Sequence, residues 1–147
     1  MEKLLKEKLI RGKFINVGPI RSRTMGAIRS KNNRSTEQRL RMELIRNGIK
    51  GWRLHPKHVF GSPDIFFPKQ RVAIFVDGCF WHGCPNCGHI PKTRRSFGKM
   101  KIERNQSRDR KTTLALKKQA IKVVRSWECQ LKSSKNKLIK KIIVLSD

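Results

Sequence analysis

The thirteen residues from Phe75 to Cys87 read Phe-Val-Asp-Gly-Cys-Phe-Trp-His-Gly-Cys-Pro-Asn-Cys. They bring a carboxylate, an imidazole, two adjacent aromatics and three thiols into one short stretch. Two chemistries are written there. Asp77 and His82 are the types needed to hold a hard cation and to take a proton from water. Cys79, Cys84 and Cys87 are the types that hold a soft one.

The chain has four cysteines, and the fourth is Cys129, in Ser-Trp-Glu-Cys. Four thiolates complete a tetrahedral structural Zn²⁺ site, and Cys84-Pro-Asn-Cys87 has the two-residue spacing of a zinc knuckle. His89 is close enough in sequence to replace one thiol. The alternatives are two disulfides, or buried apolar thiols with an incidental pair. No hydrophobic signal segment opens the chain, so an oxidising compartment is not supported. Glu2 and Glu7 speak against an organelle transit peptide. The expected location is the cytoplasm.

Composition bounds the partner. Lys and Arg number 36 against 10 Asp and Glu, a net charge of +26 over 147 residues. That excess is the footprint of a polyanion binder, with nucleic acid as the leading candidate. A membrane is not expected, because no long apolar span and no lipidation motif is present. The length fits one domain, expected as a monomer, with a core that a bound metal would help to stabilise.

The elements that must position these residues follow from hydrophobic period and breakers. Residues 1–31 read as a basic arm, with an amphipathic Leu/Ile/Lys stretch at Leu4 to Ile10 and breakers at Gly12, Gly18 and Pro19. A helix is expected from Thr36 to Asn47, capped by Ser35 or Thr36 and stopped by Gly48. Strands are expected at Gly51 to Leu54, Pro63 to Phe67 and Val72 to Val76, the last two joined through Pro68-Lys69-Gln70 as a hairpin. A loop carries the metal residues to about Thr93. A basic helix over Phe97 to Gln119, a strand over Ile121 to Trp127 and a basic helix over Lys132 to Leu145 complete the chain. This order predicts a mixed α/β sheet flanked by helices.

In that arrangement Asp64 lies inside a buried strand and Asp77 at the end of the next. A hairpin brings both carboxylates to one edge, where they can hold Mg²⁺ for phosphodiester hydrolysis, with His82 as base. Asp64 alternatively ends a turn after Pro63. Glu37 either adds a third carboxylate or simply favours the helix dipole. Glu128 reads as a salt-bridge partner. Phe80-Trp81 reads equally as core packing or as a wedge that unstacks bases.

Several motifs in one order resemble the very short patch repair endonucleases, bacterial enzymes that nick DNA beside a T:G mismatch. They are Met25 to Asn32, Trp-Arg-Leu-His at 52–55 and Gly-Ser-Pro-Asp-Ile-Phe-Phe-Pro at 61–68. Val-Asp-Gly-Cys-Phe-Trp-His-Gly-Cys at 76–84, Lys-Thr-Arg at 92–94 and Ile-Glu-Arg-Asn at 102–105 follow. Arg-Asp-Arg at 108–110 and Trp-Glu-Cys at 127–129 close the set. The resemblance implies a restriction-endonuclease-like fold of the PD-(D/E)xK kind with a structural zinc. It implies Mg²⁺ on Asp64 and the Val76 carbonyl, a base at His82 and a helix glutamate at Glu37. It places zinc on Cys79 and Cys129, with Cys84 and Cys87 near the other two ligands. It places DNA contacts at Phe80, Trp81, Lys92, Arg94 and Asn105. Asp77 stands where the best-known members carry histidine, and we expect it to assist Mg²⁺ or bind a second ion. A third wedging aromatic of those enzymes falls near Gly98. Residues 32–131 then form the endonuclease-like domain and 132–147 a basic C-terminal helix. The expected activity is Mg²⁺-dependent strand nicking of a mismatch-repair type. The alternatives are a zinc-stabilised DNA-binding protein that does not cut, or a nuclease for another DNA structure or site in a phage or mobile element.

Overall fold

The structure is a computed structural model that describes residues 36–90 and 92–147, together with two short strands nearer the N-terminus. Contacts divide the chain into units spanning 1–33 and 34–147. In the first unit β1 (Leu9–Ile10) pairs antiparallel with β2 (Lys13–Phe14), with Leu9 opposite Phe14. The other readings made for the basic arm, and for Ser35 as a cap, lie outside the described residues.

The second unit runs α1 (Glu37–Arg46), β3 (Arg53–Leu54), β4 (Ile65–Phe67), β5 (Val72–Asp77), α2 (Cys79–His82), α3 (Arg95–Lys118), β6 (Lys122–Trp127), α4 (Glu128–Ser133) and α5 (Lys135–Ser146). Strand order in the sheet is β3-β4-β5-β6. The β3–β4 and β4–β5 pairs are antiparallel, and β5–β6 is parallel. A parallel pair needs a crossover, and α2 and α3 supply it.

Strand β5 is buried along its whole length, because helices cover both faces of the sheet. Its side chains alternate between two cores. Val72, Ile74 and Val76 join Leu40 and Leu44 of α1 and Leu138, Ile139 and Ile142 of α5. Ala73 and Phe75 join Phe66, Ile121 and Leu116 of α3. The same alternation sends Asp77 and Arg125 to the α3 side, where a polar cluster replaces the apolar core.

The mixed sheet, the β4–β5 hairpin and the two long helices match the expectation from sequence, and three local features differ. Asp64 stands just outside β4, which begins at Ile65, so its carbonyl is free to accept from the His55 N–H at 3.4 Å. The residues expected in a metal loop open with one helical turn, α2, ended by Gly83 in the left-handed region at φ 69°. The single C-terminal helix expected from Lys132 is broken at Ser134 into α4 and α5. Leu131, Leu138, Ile139 and Ile142 of these two helices belong to the same core as α1.

Candidate active site and metal centres

Three groups of side chains gather at the end of β5. The first follows from strand register. Asp77 of β5 lies beside Trp127 of β6 in the parallel pair. Two residues beyond each come Cys79 and Cys129, so the strands deliver both thiols to one place. The tight turn Cys84–Cys87 adds two more, and one sulfur from each of the four lies within 4.8 Å of the others. Cys84 Sγ and Cys129 Sγ are 3.7 Å apart. An ion with Zn–S bonds of about 2.3 Å sets tetrahedral sulfurs about 3.8 Å apart. The Cys129 N–H donates to Cys79 Sγ at 3.4 Å.

The turn allows no side chain at Gly88. An added Cβ would sit 2.5 Å from the Cys84 carbonyl oxygen and 2.7 Å from its nitrogen. The thiols also titrate apart. Burial opposes ionisation of Cys84, but the backbone N–H groups of Cys87 and Asn86 outweigh it and draw Cys84 down to about 7. Hydrogen bonding with Cys79 pushes Cys87 up to about 12. Facing thiols resist a second negative charge unless a cation compensates it. His89 is not in this group; its ring meets Phe80 edge-on at 5.4 Å.

The second group is Glu37, His55 and Asp64, again within 4.8 Å of one another. Glu37 opens α1 and is 2% exposed. His55 Nε2 lies 2.8 Å from Glu37 Oε1. The Val76 N–H donates to Asp64 Oδ2 at 2.7 Å, which ties Asp64 across the hairpin to β5. Burial pushes the Asp64 carboxyl up to about 6; the Val76 N–H works against this, and the charges of Glu37 and Asp77 add to it.

The third group is Asp77, His82 and Asp109. His82 Nδ1 is 2.6 Å from Asp109 Oδ2 and 3.8 Å from Asp77 Oδ1. Both Asp77 oxygens accept from Arg125 Nη1, at 2.8 and 2.9 Å. The same nitrogen is 3.5 Å from Asp109, and Arg125 Nε donates to Thr113 at 3.1 Å. The Arg125 guanidinium also lies over the Phe75 ring, 4.4 Å from its centre. Burial disfavours charge on Asp77, and Arg125 only partly offsets it, leaving the carboxyl above its ordinary value.

The structure therefore brings Glu37 to Asp64 and His82 to Asp77, in two adjoining clusters. Asp77 was expected at a metal; here both its oxygens are occupied by a guanidinium. Phe80 and Trp81 are neither fully buried nor free. Their rings meet edge-on at 4.6 Å, and Lys101 Nζ lies 4.1 Å from the centre of the Trp81 ring. Asn105 donates its side-chain amide to the Trp81 carbonyl at 2.9 Å, so it holds the α2 turn in place. Lys92 and Arg94 are exposed at the start of α3. Glu128 pairs with Lys132 at 3.1 Å, as expected.

His55, Asp109 and Arg125 were missed as site residues. His55 and Asp109 sit in motifs that carry the family resemblance, in Trp-Arg-Leu-His and Arg-Asp-Arg, and that was the one available signal. Arg125 had none, because an arginine in a buried strand of a basic chain is not distinguished by type.

A family model described as "DNA mismatch endonuclease Vsr" matches residues 18–88. Type II nicking enzyme V.XorIIP of Xanthomonas oryzae pv. oryzae is 42% identical over 109 residues, covering 73% of this chain and 78% of that protein. Type II nicking enzyme V.NmeAIP of Neisseria meningitidis is 40% identical over 115 residues, covering 77% and 80%. The DNA mismatch endonuclease Vsr of Escherichia coli is 34% identical over 114 residues, covering 76% and 71%.

Proposed function

The chain belongs to the Vsr family of DNA mismatch endonucleases, and from that premise we propose that it nicks double-stranded DNA by hydrolysing one phosphodiester bond. The observation that carries the reading is the 2.6 Å contact of His82 Nδ1 with Asp109, near a second cluster that contains two carboxylates, one of them buried. With Nδ1 donating to Asp109, the lone pair of His82 stands on Nε2, ready to take a proton from water. Gln106 donates to the His82 carbonyl at 3.1 Å and Asn105 to that of Trp81, so α3 fixes the turn that carries the base.

Asp64, Glu37 and the Val76 carbonyl are the residues that would hold Mg²⁺. The donor set fits the ion: hard oxygens, two of them carboxylates, one buried and one half-buried, with Asp64 raised to about 6. Bound there, the ion supplies charge neutralisation at the scissile phosphate. Asp77 is better read as a positioning residue than as a ligand, because its oxygens are taken by Arg125 and its charge faces His82. The four-cysteine cluster fits a structural Zn²⁺ by its sulfur spacing, in a restriction-endonuclease-like core.

Lys92, Arg94 and the wider Lys/Arg excess are assigned to phosphates. Phe80 and Trp81 are assigned to the duplex itself, as half-exposed rings on a turn pinned by zinc and α3. Mismatch-directed nicking is the preferred form of the activity.

Supercoiled plasmid with Mg²⁺ tests the reading. The protein should convert it to the open-circular form, and Asp64→Ala should abolish this while retaining the gel shift. Shifting without nicking by the unaltered protein would leave only a binding module.

A further inference from the structure

We propose that His55 is a protein donor to the metal held by Asp64 and Glu37, and that its imidazole makes the site select Mn²⁺ over Mg²⁺. The inference rests on the reading above that this pair of acids binds a divalent ion, and it adds a ligand and a metal preference.

Three observations carry it. One ring nitrogen of His55 lies within 4.8 Å of both a Glu37 oxygen and an Asp64 oxygen, so the three enclose a common point. His55 Nε2 is buried and, although 2.8 Å from Glu37 Oε1, makes no well-directed hydrogen bond there. A buried polar nitrogen without a directed partner costs free energy, and a cation between it and the acids would remove that cost. The placement is also built into the sheet. The β3–β4 pairing sets Leu54 opposite Ile65, and the next step outward sets His55 beside Asp64, joined by the 3.4 Å backbone contact. His55 adopts φ 40°, in the left-handed region that histidine seldom occupies.

The chemical consequence follows from donor type. Mg²⁺ takes oxygen donors and keeps much of its water, whereas an imidazole donor adds affinity for first-row divalent ions, least for Mn²⁺ among them but more for Mn²⁺ than for Mg²⁺. Two carboxylates and one imidazole therefore form a site for Mn²⁺-type ions that tolerates Mg²⁺.

The test uses the zinc-loaded full chain and Mn²⁺ alone as the probe. Pulsed electron paramagnetic resonance of the Mn²⁺-loaded protein should show ¹⁴N modulation from a directly bound imidazole. His55→Gln should retain Mn²⁺ and lose that modulation, while His82→Ala should keep it. Titration calorimetry of each protein should show the ratio of Mg²⁺ to Mn²⁺ dissociation constants falling about tenfold in His55→Gln. Because both ions are measured on one preparation, partial unfolding of a variant does not alter the ratio. Mn²⁺ bound without nitrogen modulation, or an unchanged ratio in His55→Gln, overturns the inference while leaving the Asp64 site intact. Mn²⁺ binding that persists undiminished in Asp64→Ala, or no Mn²⁺ binding at all, overturns the metal assignment and this inference with it.

Discussion

His82 Nδ1 lies 2.6 Å from a carboxylate oxygen of Asp109, 27 residues further along the chain. One element is a four-residue helical turn and the other is the middle of a 24-residue helix. The contact selects one tautomer of His82 and orients its ring, which is what the proposed role of His82 as a base requires. Burial disfavours a charged His82, but the Asp109 hydrogen bond and the Asp77 charge outweigh it and raise the imidazole above its ordinary value.

Proton acceptance needs the neutral ring, so nicking should rise with pH through that raised value. The ion pair's contribution to stability has the opposite slope: complete below the ordinary value near 6.5, and lost as pH rises through the folded-state value. Asp109→Asn removes an anion. It should shift the activity limb to lower pH and reduce the plateau about 10- to 100-fold. Plasmid nicking rates between about pH 5 and 9 measure both effects. An unmoved limb would show that Asp109 does not act through His82.

Arg125 is the cation that balances a buried Asp77, which is 6% exposed. Arg125→Leu should cost about 3 kcal/mol, because it leaves that carboxylate without its partner. Asp77→Asn combined with Arg125→Leu should cost clearly less than the sum of the single changes. Denaturant unfolding of the four proteins provides the cycle, and strict additivity would refute the coupling.

Gly88 sits where any Cβ would meet the Cys84 backbone, so Gly88→Ala must shift the knuckle that carries two of the four sulfurs. The purified chain should contain one zinc. Gly88→Ala should release zinc to a chelating dye at least about tenfold faster, with a lower melting temperature. Equal release rates would place the metal elsewhere.

Asp64 shows the cost of placing a carboxylate in a largely buried setting beside other acids. Its rise from 3.8 to about 6 corresponds to about 3 kcal/mol of disfavoured ionisation. A raised carboxyl contributes stability below about pH 4 that is lost as pH rises through about 6. The metal-free protein should therefore lose melting temperature across that window. Mg²⁺ should restore it at the upper end, and Asp64→Asn should flatten the profile without metal. Thermal melts with and without the ion decide the matter.

By itself the sequence determined what short spacing and hydrophobic period encode. Cys84-Pro-Asn-Cys87 is a turn whose sulfurs meet through local backbone geometry. Val72–Val76 is an apolar run that only a doubly covered strand can bury, and the β4–β5 hairpin was legible from that. Only the tertiary structure decided the pairings. Parallel register brought Cys129 level with Cys79. Antiparallel register set His55 beside Asp64. The face of α3 presented Asp109 to His82, and β6 supplied Arg125 to occupy Asp77. Such partners lie tens of residues apart, and their meeting depends on how strands align and which helix face packs inward. No local preference carries that information, so a residue's chemistry was visible in its type while its role waited on its neighbour.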